Sequence, residues 1–110
     1  YGEAMRAMRI LVMFDLPIAT KAERRAYSDF RKFLVKDGYC MEQFSVYSRI
    51  TLGRDALASH IARLKDNLPE TGSVTVFSMT EKQFEDRMVL LGKARRDHSN
   101  DYGAQMTLFF

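Results

Sequence analysis

Asp15 is the residue of this chain best placed to do chemistry, because it ends an unbroken apolar run. The five residues before it, Ile10 to Phe14, carry no polar side chain, and Leu16-Pro17 follow it and stop a strand. Such a run predicts a central strand with both faces covered. A carboxylate at the carboxyl end of that strand suits a metal ligand or a catalytic acid. It also suits a turn cap that accepts hydrogen bonds from backbone amides ahead of it.

A second group of residues, between Thr20 and Lys36, could bind a polyanion. On a helical wheel of about 100° per residue six cations fall within one arc, opposite apolar residues such as Phe30 and Leu34. Aligned like charges repel each other unless an anion neutralises them, and each phosphate contacted by a cation releases counterions. This cationic stripe predicts a nucleic-acid-binding surface, with an ordinary solvated face as the alternative. Its members are Lys21, Arg24, Arg25, Arg31, Lys32 and Lys36.

The composition indicates one globular domain. The chain has 110 residues, 46% of them hydrophobic, and a net charge of only +3. Cys40 is the only cysteine, which excludes an intrachain disulfide and a cysteine-based metal site and suits a reducing cytoplasm. No stretch approaches the roughly 18 apolar residues of a membrane span, so we expect a cytoplasmic protein with no membrane partner.

The domain is expected over residues 8–92, with a leader over 1–7 and a tail over 93–110. The tail is basic and polar at its start and apolar at its end, from Met106 to Phe110. An apolar terminus is unfavourable in water, so we expect it to dock on its own dimer or on a partner protein.

The order of elements predicts an α+β fold. Two capping boxes, Thr20 with Glu23 and Thr80 with Gln83, mark helix starts, and the turn near Gln43 to Ser45 divides a long strand-like stretch. The expected strands are 9–14, two segments within 39–51, 73–79 and a short fifth one over 88–91; the expected helices are 20–36, 54–67 and one turn after 80.

This order is the ferredoxin-like βαββαβ pattern with an appended fifth strand. Both helices then cover one face of the sheet, and a second copy of the chain is the economical cover for the other. We therefore expect a homodimer packed sheet against sheet. A two-fold axis could bring Asp15 of each subunit together, giving two carboxylates for a divalent ion such as Mg²⁺.

Three further residues have weaker interpretations. His60 stands beside Arg63 and is expected to be a solvated histidine rather than a ligand. Phe44 and Tyr47 are of the type that stacks on nucleobases, but core packing is the favoured interpretation for both.

Several of these segments resemble a known family, the small CRISPR-associated adaptation proteins called Cas-two. The resemblance lies in residues 9–17, in the basic helix after them and in Gln43-Phe44-Ser45-Val46-Tyr47, and it spans about residues 8–92 in order. The segment from Thr80 to Phe84 is similar to the form found in type II systems.

The resemblance implies a ferredoxin-like homodimer whose fifth strand, Met88 to Leu91 here, crosses to extend the partner's sheet. It implies that Asp15 of each subunit binds magnesium, as in the nuclease members, with Ser45 close to that site. Phe14 occupies the position at which many members carry tyrosine, so a phenol is absent there.

Two functions from different classes follow from the resemblance. In the first, the dimer is a scaffold that bridges the CRISPR integrase subunits and holds duplex DNA during spacer acquisition. In the second, it is a magnesium-dependent endonuclease that cleaves RNA or DNA on its own. A more distant third interpretation, a small-ligand regulatory module without nucleic acid, is disfavoured by the cationic stripe.

Overall fold

A four-stranded antiparallel sheet carries the functional residues. The computed structural model describes residues 6–92, and the sheet order is β2-β3-β1-β4. β1 is therefore an inner strand, and the predicted α+β ferredoxin-like architecture is confirmed. The elements are β1 (Ala7–Asp15), α1 (Lys21–Lys36), β2 (Cys40–Gln43), β3 (Val46–Leu52), α2 (Gly53–Asp66), β4 (Ser73–Thr80) and α3 (Glu81–Glu85).

Both predicted capping boxes fix the start of a helix. The Thr20 hydroxyl accepts from the Glu23 amide at 3.1 Å, and the Glu23 carboxylate accepts from the Thr20 amide at 2.9 Å. The same reciprocal pair links Thr80 and Gln83 at the start of α3. Satisfying amides that have no partner inside the helix explains why α1 begins where the sequence predicts.

The core lies between the sheet and the two long helices. Ile10, Val12 and Phe14 of β1 point to this side and are buried against Phe30 and Leu34 of α1. These two α1 residues lie opposite the cationic stripe, as the helical wheel predicts. α2 adds Leu64 to the same cluster.

Within the single chain β1 is covered on its helix side only, and the covering of its other face by a second copy stays a prediction. Because side chains alternate along a strand, Leu11, Met13 and Asp15 point away from the helices. Met13 is 40% exposed and Asp15 is also exposed. Apolar residues of neighbouring strands, Ile50 and Phe77, share this open face through their pairing with Arg9 and Leu11.

The predicted fifth strand is absent from the described part of the chain. Residues 88–91 follow α3 in a non-strand conformation. The free edges of the sheet are those of β2 and β4, and residues 88–91 pair with neither of them. These residues instead line a cavity of about 810 Å³, together with Leu11, Met13 and Val46 of the open face.

A partly buried ion pair fastens α3 to the open face. Arg9 donates to both carboxylate oxygens of Glu81, at 2.8 and 2.6 Å, and to the Ser48 hydroxyl at 3.2 Å. Its guanidinium also lies 4.2 Å from the ring centroid of Phe84, which places the buried Phe84 over the sheet. The chain beyond β4 therefore turns back across the open face.

Among residues 6–92, no helix has the length and apolar character that a membrane crossing requires. The predictions about the tail over 93–110 and about the first five residues of the leader fall outside the described residues.

Candidate nucleic-acid interface and metal site

Asp15 is the last residue of β1, and its carboxylate is available to a ligand. It pairs in register with Ser73 at the end of the sheet. The turn before β4 approaches closely, since a Cβ at Gly72 would lie 2.7 Å from the Asp15 carbonyl oxygen. Within residues 6–92 the Asp15 side chain makes no hydrogen bond and no ion pair. The turn-cap alternative is therefore wrong.

One chain supplies too few ligands for a divalent ion. In the part of the chain that the structure describes, no three His, Cys, Asp or Glu side chains are grouped as a metal site would need. An exposed carboxylate without a partner nevertheless has the right chemistry, because Mg²⁺ takes oxygen ligands and keeps several waters. Asp15 thus fits half of a shared site and does not form a site alone.

Ser45 lies next to the end of β1, as the resemblance implies. Its carbonyl oxygen accepts a hydrogen bond from the amide of Phe14 at 3.1 Å, so the turn is tied to the residue before Asp15. The Ser45 hydroxyl lies 3.2 Å from the Tyr27 hydroxyl. The structure therefore directs this hydroxyl to α1, and it gives Ser45 no bond to the Asp15 carboxylate.

Phe14 belongs to the core rather than to the site. Its ring contacts Phe30 at 5.2 Å edge to face, and Tyr27 and Tyr47 at 5.8 Å each between centroids. Alternation along β1 puts Phe14 on the helix side and Asp15 on the open side. Phe14 therefore contributes to core packing and not to the site around Asp15.

All six residues of the cationic stripe are exposed, and they fall into two groups. Arg24 donates to the carbonyl oxygens of Ile18 and Ala19, at 3.2 and 3.1 Å. Arg31 donates from Nε to the hydroxyl of the buried Tyr47 at 2.7 Å. The other four make no hydrogen bond or ion pair with any residue of 6–92; they are Lys21, Arg25, Lys32 and Lys36.

The charge distribution on α1 is unusual for a surface helix. Exposed cations are usually balanced by carboxylates three or four residues away. Glu23, the acidic residue within the first turn, is occupied by the amides of Ala19 and Thr20. Asp29 stands four residues after Arg25 and three before Lys32, but it forms no ion pair with either of them. Four cations without an ion-pair partner among residues 6–92 therefore lie on one side of this 16-residue helix and can face the same polyanion.

His60 was expected in solvent and is buried instead. Its Nδ1 lies 3.2 Å from Asp37 Oδ2 and 2.7 Å from Nη2 of Arg63, while Arg63 Nε donates to Asp37 Oδ1 at 2.9 Å. Asp37 is the C-cap residue of α1, so this cluster joins the end of α1 to α2. No local pattern predicts this cluster, because Asp37 and His60 are 23 positions apart.

Tyr39 lies beside the same cluster with its hydroxyl buried. Among the described residues this hydroxyl has no hydrogen-bond partner. Burial first, and then the negative charge of Asp37, raise the pKa of Tyr39 to about 12 from the ordinary 10.0. The Tyr39 hydroxyl thus stays protonated in the folded protein, and the side chain contributes to packing.

Phe44 is the site residue that sequence reasoning assigned wrongly. Tyr47 is buried, as predicted, but Phe44 is 78% exposed. It occupies the two-residue turn between β2 and β3, because Gln43 pairs with Val46. An irregular register between Met41 and Gln43 moves Phe44 out of the pleat and into that turn.

The comparison with protein families decides the assignment. The family model described as CRISPR associated protein Cas2 matches residues 8–87. The chain belongs to the Cas2 family. The family acts in CRISPR adaptation, and the match includes β1 with Asp15, the whole of α1 and the Phe44-Ser45 turn.

Curated relatives match the sequence of this Cas2 family member along most of their own length. A protein from Acidovorax ebreus named CRISPR-associated endoribonuclease Cas2 is 52% identical over 102 residues, which are 93% of this chain and 100% of that protein. A protein of the same name from Streptococcus mutans is 50% identical over 88 residues, 80% of each chain. A solved structure described as a crystal structure of cas2 shares the fold, with a TM-score of 0.56, 21% identity, and coverage of 81% of this chain and 91% of the other.

Proposed function

We propose that this Cas2 family member is a dimeric scaffold that holds duplex DNA for the CRISPR integrase subunits during spacer acquisition. The observation that carries the proposal is the cationic stripe of α1, in which four exposed cations have no hydrogen-bond or ion-pair partner among the described residues. Each can contact a phosphate without first breaking a bond within 6–92. Binding of this kind does not depend on base sequence, as a scaffold for varied DNA requires.

The homodimer is part of the proposal. The open face of the sheet presents Met13, Ile50 and Phe77 half-exposed, and the segment after α3 adds Met88 and Leu90. An apolar patch of this extent on a small domain is typical of a protein interface. A second copy placed sheet against sheet would cover it and would bring the two Asp15 residues to one side of the dimer.

A second candidate function is magnesium-dependent cleavage of RNA or DNA. It is favoured by the name endoribonuclease carried by the relatives and by the exposed carboxylate of Asp15. Asp15 of both subunits would hold the ion, with Ser45 supporting the end of β1 through the Phe14 amide. The bound ion would supply Lewis-acid activation of water and of the scissile phosphate.

The two functions differ in which residues they require. We expect Asp15→Asn, which keeps the side-chain shape, to leave the dimer intact and to abolish any magnesium-dependent cleavage. Under the scaffold function Asp15→Asn still supports spacer acquisition in cells, whereas reversal of the charges at Arg25 and Lys32 blocks it. Loss of acquisition with Asp15→Asn in an intact dimer would overturn the scaffold function and favour the nuclease.

A further inference from the structure

Phe44 is an exposed aromatic ring that neither the core nor the cationic stripe explains. It stacks on Tyr27 of α1, with ring centroids 6.2 Å apart and planes 28° from parallel. Since Phe44 is 78% exposed, Tyr27 covers at most one face of its ring. The opposite face is left open to solvent at the tip of the β2–β3 turn.

The turn that carries the ring is held in place by Ser45. Ser45, the second residue of the turn, has a φ of 68° and is the only non-glycine residue of 6–92 with a positive φ. Its hydroxyl is bonded to Tyr27, and its carbonyl oxygen is bonded to the Phe14 amide. A turn that is ordered in advance loses little conformational entropy when a ligand stacks on the ring it carries.

The surroundings of this aromatic pair are cationic. Arg24 and Arg31 stand three residues before and four residues after Tyr27, so all three lie on the same side of α1. Arg31 is anchored by Tyr47 and Arg24 by two carbonyl oxygens, which holds positive charge on the side of α1 that carries Tyr27. An aromatic face next to fixed cations matches a nucleotide, which brings a flat base and a phosphate together.

We propose that Phe44, supported by Tyr27, is a stacking platform for one unpaired nucleobase of a strand whose phosphates contact α1. The inference rests on the proposed nucleic-acid binding by α1 and adds to it a preference for unpaired nucleotides. Every base has a π face, so the platform accepts a base of any identity. A base inside a duplex is already stacked on both sides and would not fit.

Three probes of equal length separate this platform from the cationic stripe: a DNA duplex, a single strand of thymidines and a single strand of abasic sites. We expect Phe44→Leu to weaken binding of the thymidine strand about 5-fold or more, the lower end of what one stacked base contributes. The affinities for the duplex and for the abasic strand should stay unchanged. Leu68→Ala, at another half-exposed apolar residue, is the matched control and should change none of the three.

A second variant reports stacking directly. The chain has five tyrosines and no tryptophan, so Phe44→Trp introduces a single tryptophan whose emission can be excited separately from that of the tyrosines. We expect the thymidine strand to quench its emission and the abasic strand to leave it unchanged. If the thymidine strand and the abasic strand change affinity and emission equally, the stacking platform is wrong. Binding of the duplex would still support the cationic stripe of α1.

Two further outcomes would rule out the stacking platform. In the first, light scattering shows that Phe44→Leu dissociates the protein into single chains while its affinities for the thymidine and abasic strands fall equally. In that case Phe44 is a protein contact and the platform is wrong. If the wild-type protein binds none of the three probes, the proposed function and the platform both fall.

Discussion

The hydroxyls of Tyr27 and Ser45 lie 3.2 Å apart and join α1 to the β2–β3 turn. This contact fixes the turn against the helix that carries the cationic stripe. Ser45 adopts a φ of 68° there, a region that glycine enters freely and that costs an L-residue roughly 1 kcal/mol or more. The same residue therefore supplies a hydroxyl bond and a strained backbone.

Two substitutions at position 45 separate these effects. Ser45→Ala removes the hydroxyl and keeps the strain, so we expect it to lower the free energy of unfolding by about 0.5–1.5 kcal/mol. Ser45→Gly also removes the hydroxyl but relieves the strain, so it should be more stable than Ser45→Ala by roughly 1 kcal/mol. Urea denaturation measures both. A Ser45→Gly variant less stable than Ser45→Ala would contradict the positive φ.

Tyr39 predicts a loss of stability at alkaline pH. Its pKa is raised to about 12 in the folded protein and is 10.0 ordinarily, so between these values the unfolded state gives up a proton that the folded state keeps. The free energy of unfolding therefore falls as pH rises from 10 towards 12. Stability against urea at several pH values measures this fall.

Tyr39→Phe is the matched control for that titration. It removes the ionisable group, so the part of the alkaline loss that belongs to Tyr39 should disappear. It also removes a buried hydroxyl without a partner among the described residues, so stability at neutral pH should be unchanged or higher. A clear loss at neutral pH would show that the Tyr39 hydroxyl has a partner in the folded protein.

The homodimer predicts a specific effect of Met13. Light scattering should give a mass of about twice 12.7 kDa for the wild-type chain. Met13→Glu places a charge on the open face, where burial against a second copy would be costly, so this variant should be a monomer. Met13 is 40% exposed in the single chain, and the monomer should therefore remain folded by circular dichroism. A wild-type monomer would contradict the sheet-against-sheet arrangement.

Much of the fold could be predicted because its signals are local. The capping boxes at Thr20 and Thr80, the apolar run before Asp15 and the helical spacing of Phe30 and Leu34 each depend on residues close in sequence. The structure confirms each of these elements to within one or two residues. The order of the elements then leaves few arrangements of an antiparallel sheet.

The wrong predictions have a common cause. The conformation of each of these residues is set by contacts that are distant in sequence or lie between chains. His60 is buried by Asp37 and Arg63 of a cluster that closes only in the folded state. Residues 88–91 have no strand neighbour within one chain. Phe44 is exposed because an irregularity near Met41 shifts the hairpin register by one position and leaves Phe44 in the two-residue turn instead of in a strand.

The structure shows which members of the cationic stripe can be replaced without disturbing the packing. Arg24 and Arg31 hold the α1 start and the Tyr47 hydroxyl, so replacing them would disturb packing as well as charge. Arg25 and Lys32 are exposed, lie two helical turns apart on one side of α1 and have no partner within 6–92. Charge reversal at these two positions therefore tests binding without altering the fold.

The most direct test of the scaffold is the salt dependence of duplex DNA binding by the variant Arg25→Glu with Lys32→Glu. We predict a much weaker affinity and a slope of log affinity against log salt that is shallower by about 2, since two phosphate contacts are lost. Reversal of Lys65 and Lys82, which are exposed elsewhere and change the net charge equally, should have little effect. If both double variants bind duplex DNA as tightly as the wild type at low salt, the cationic stripe is an ordinary solvated face and the scaffold account is wrong.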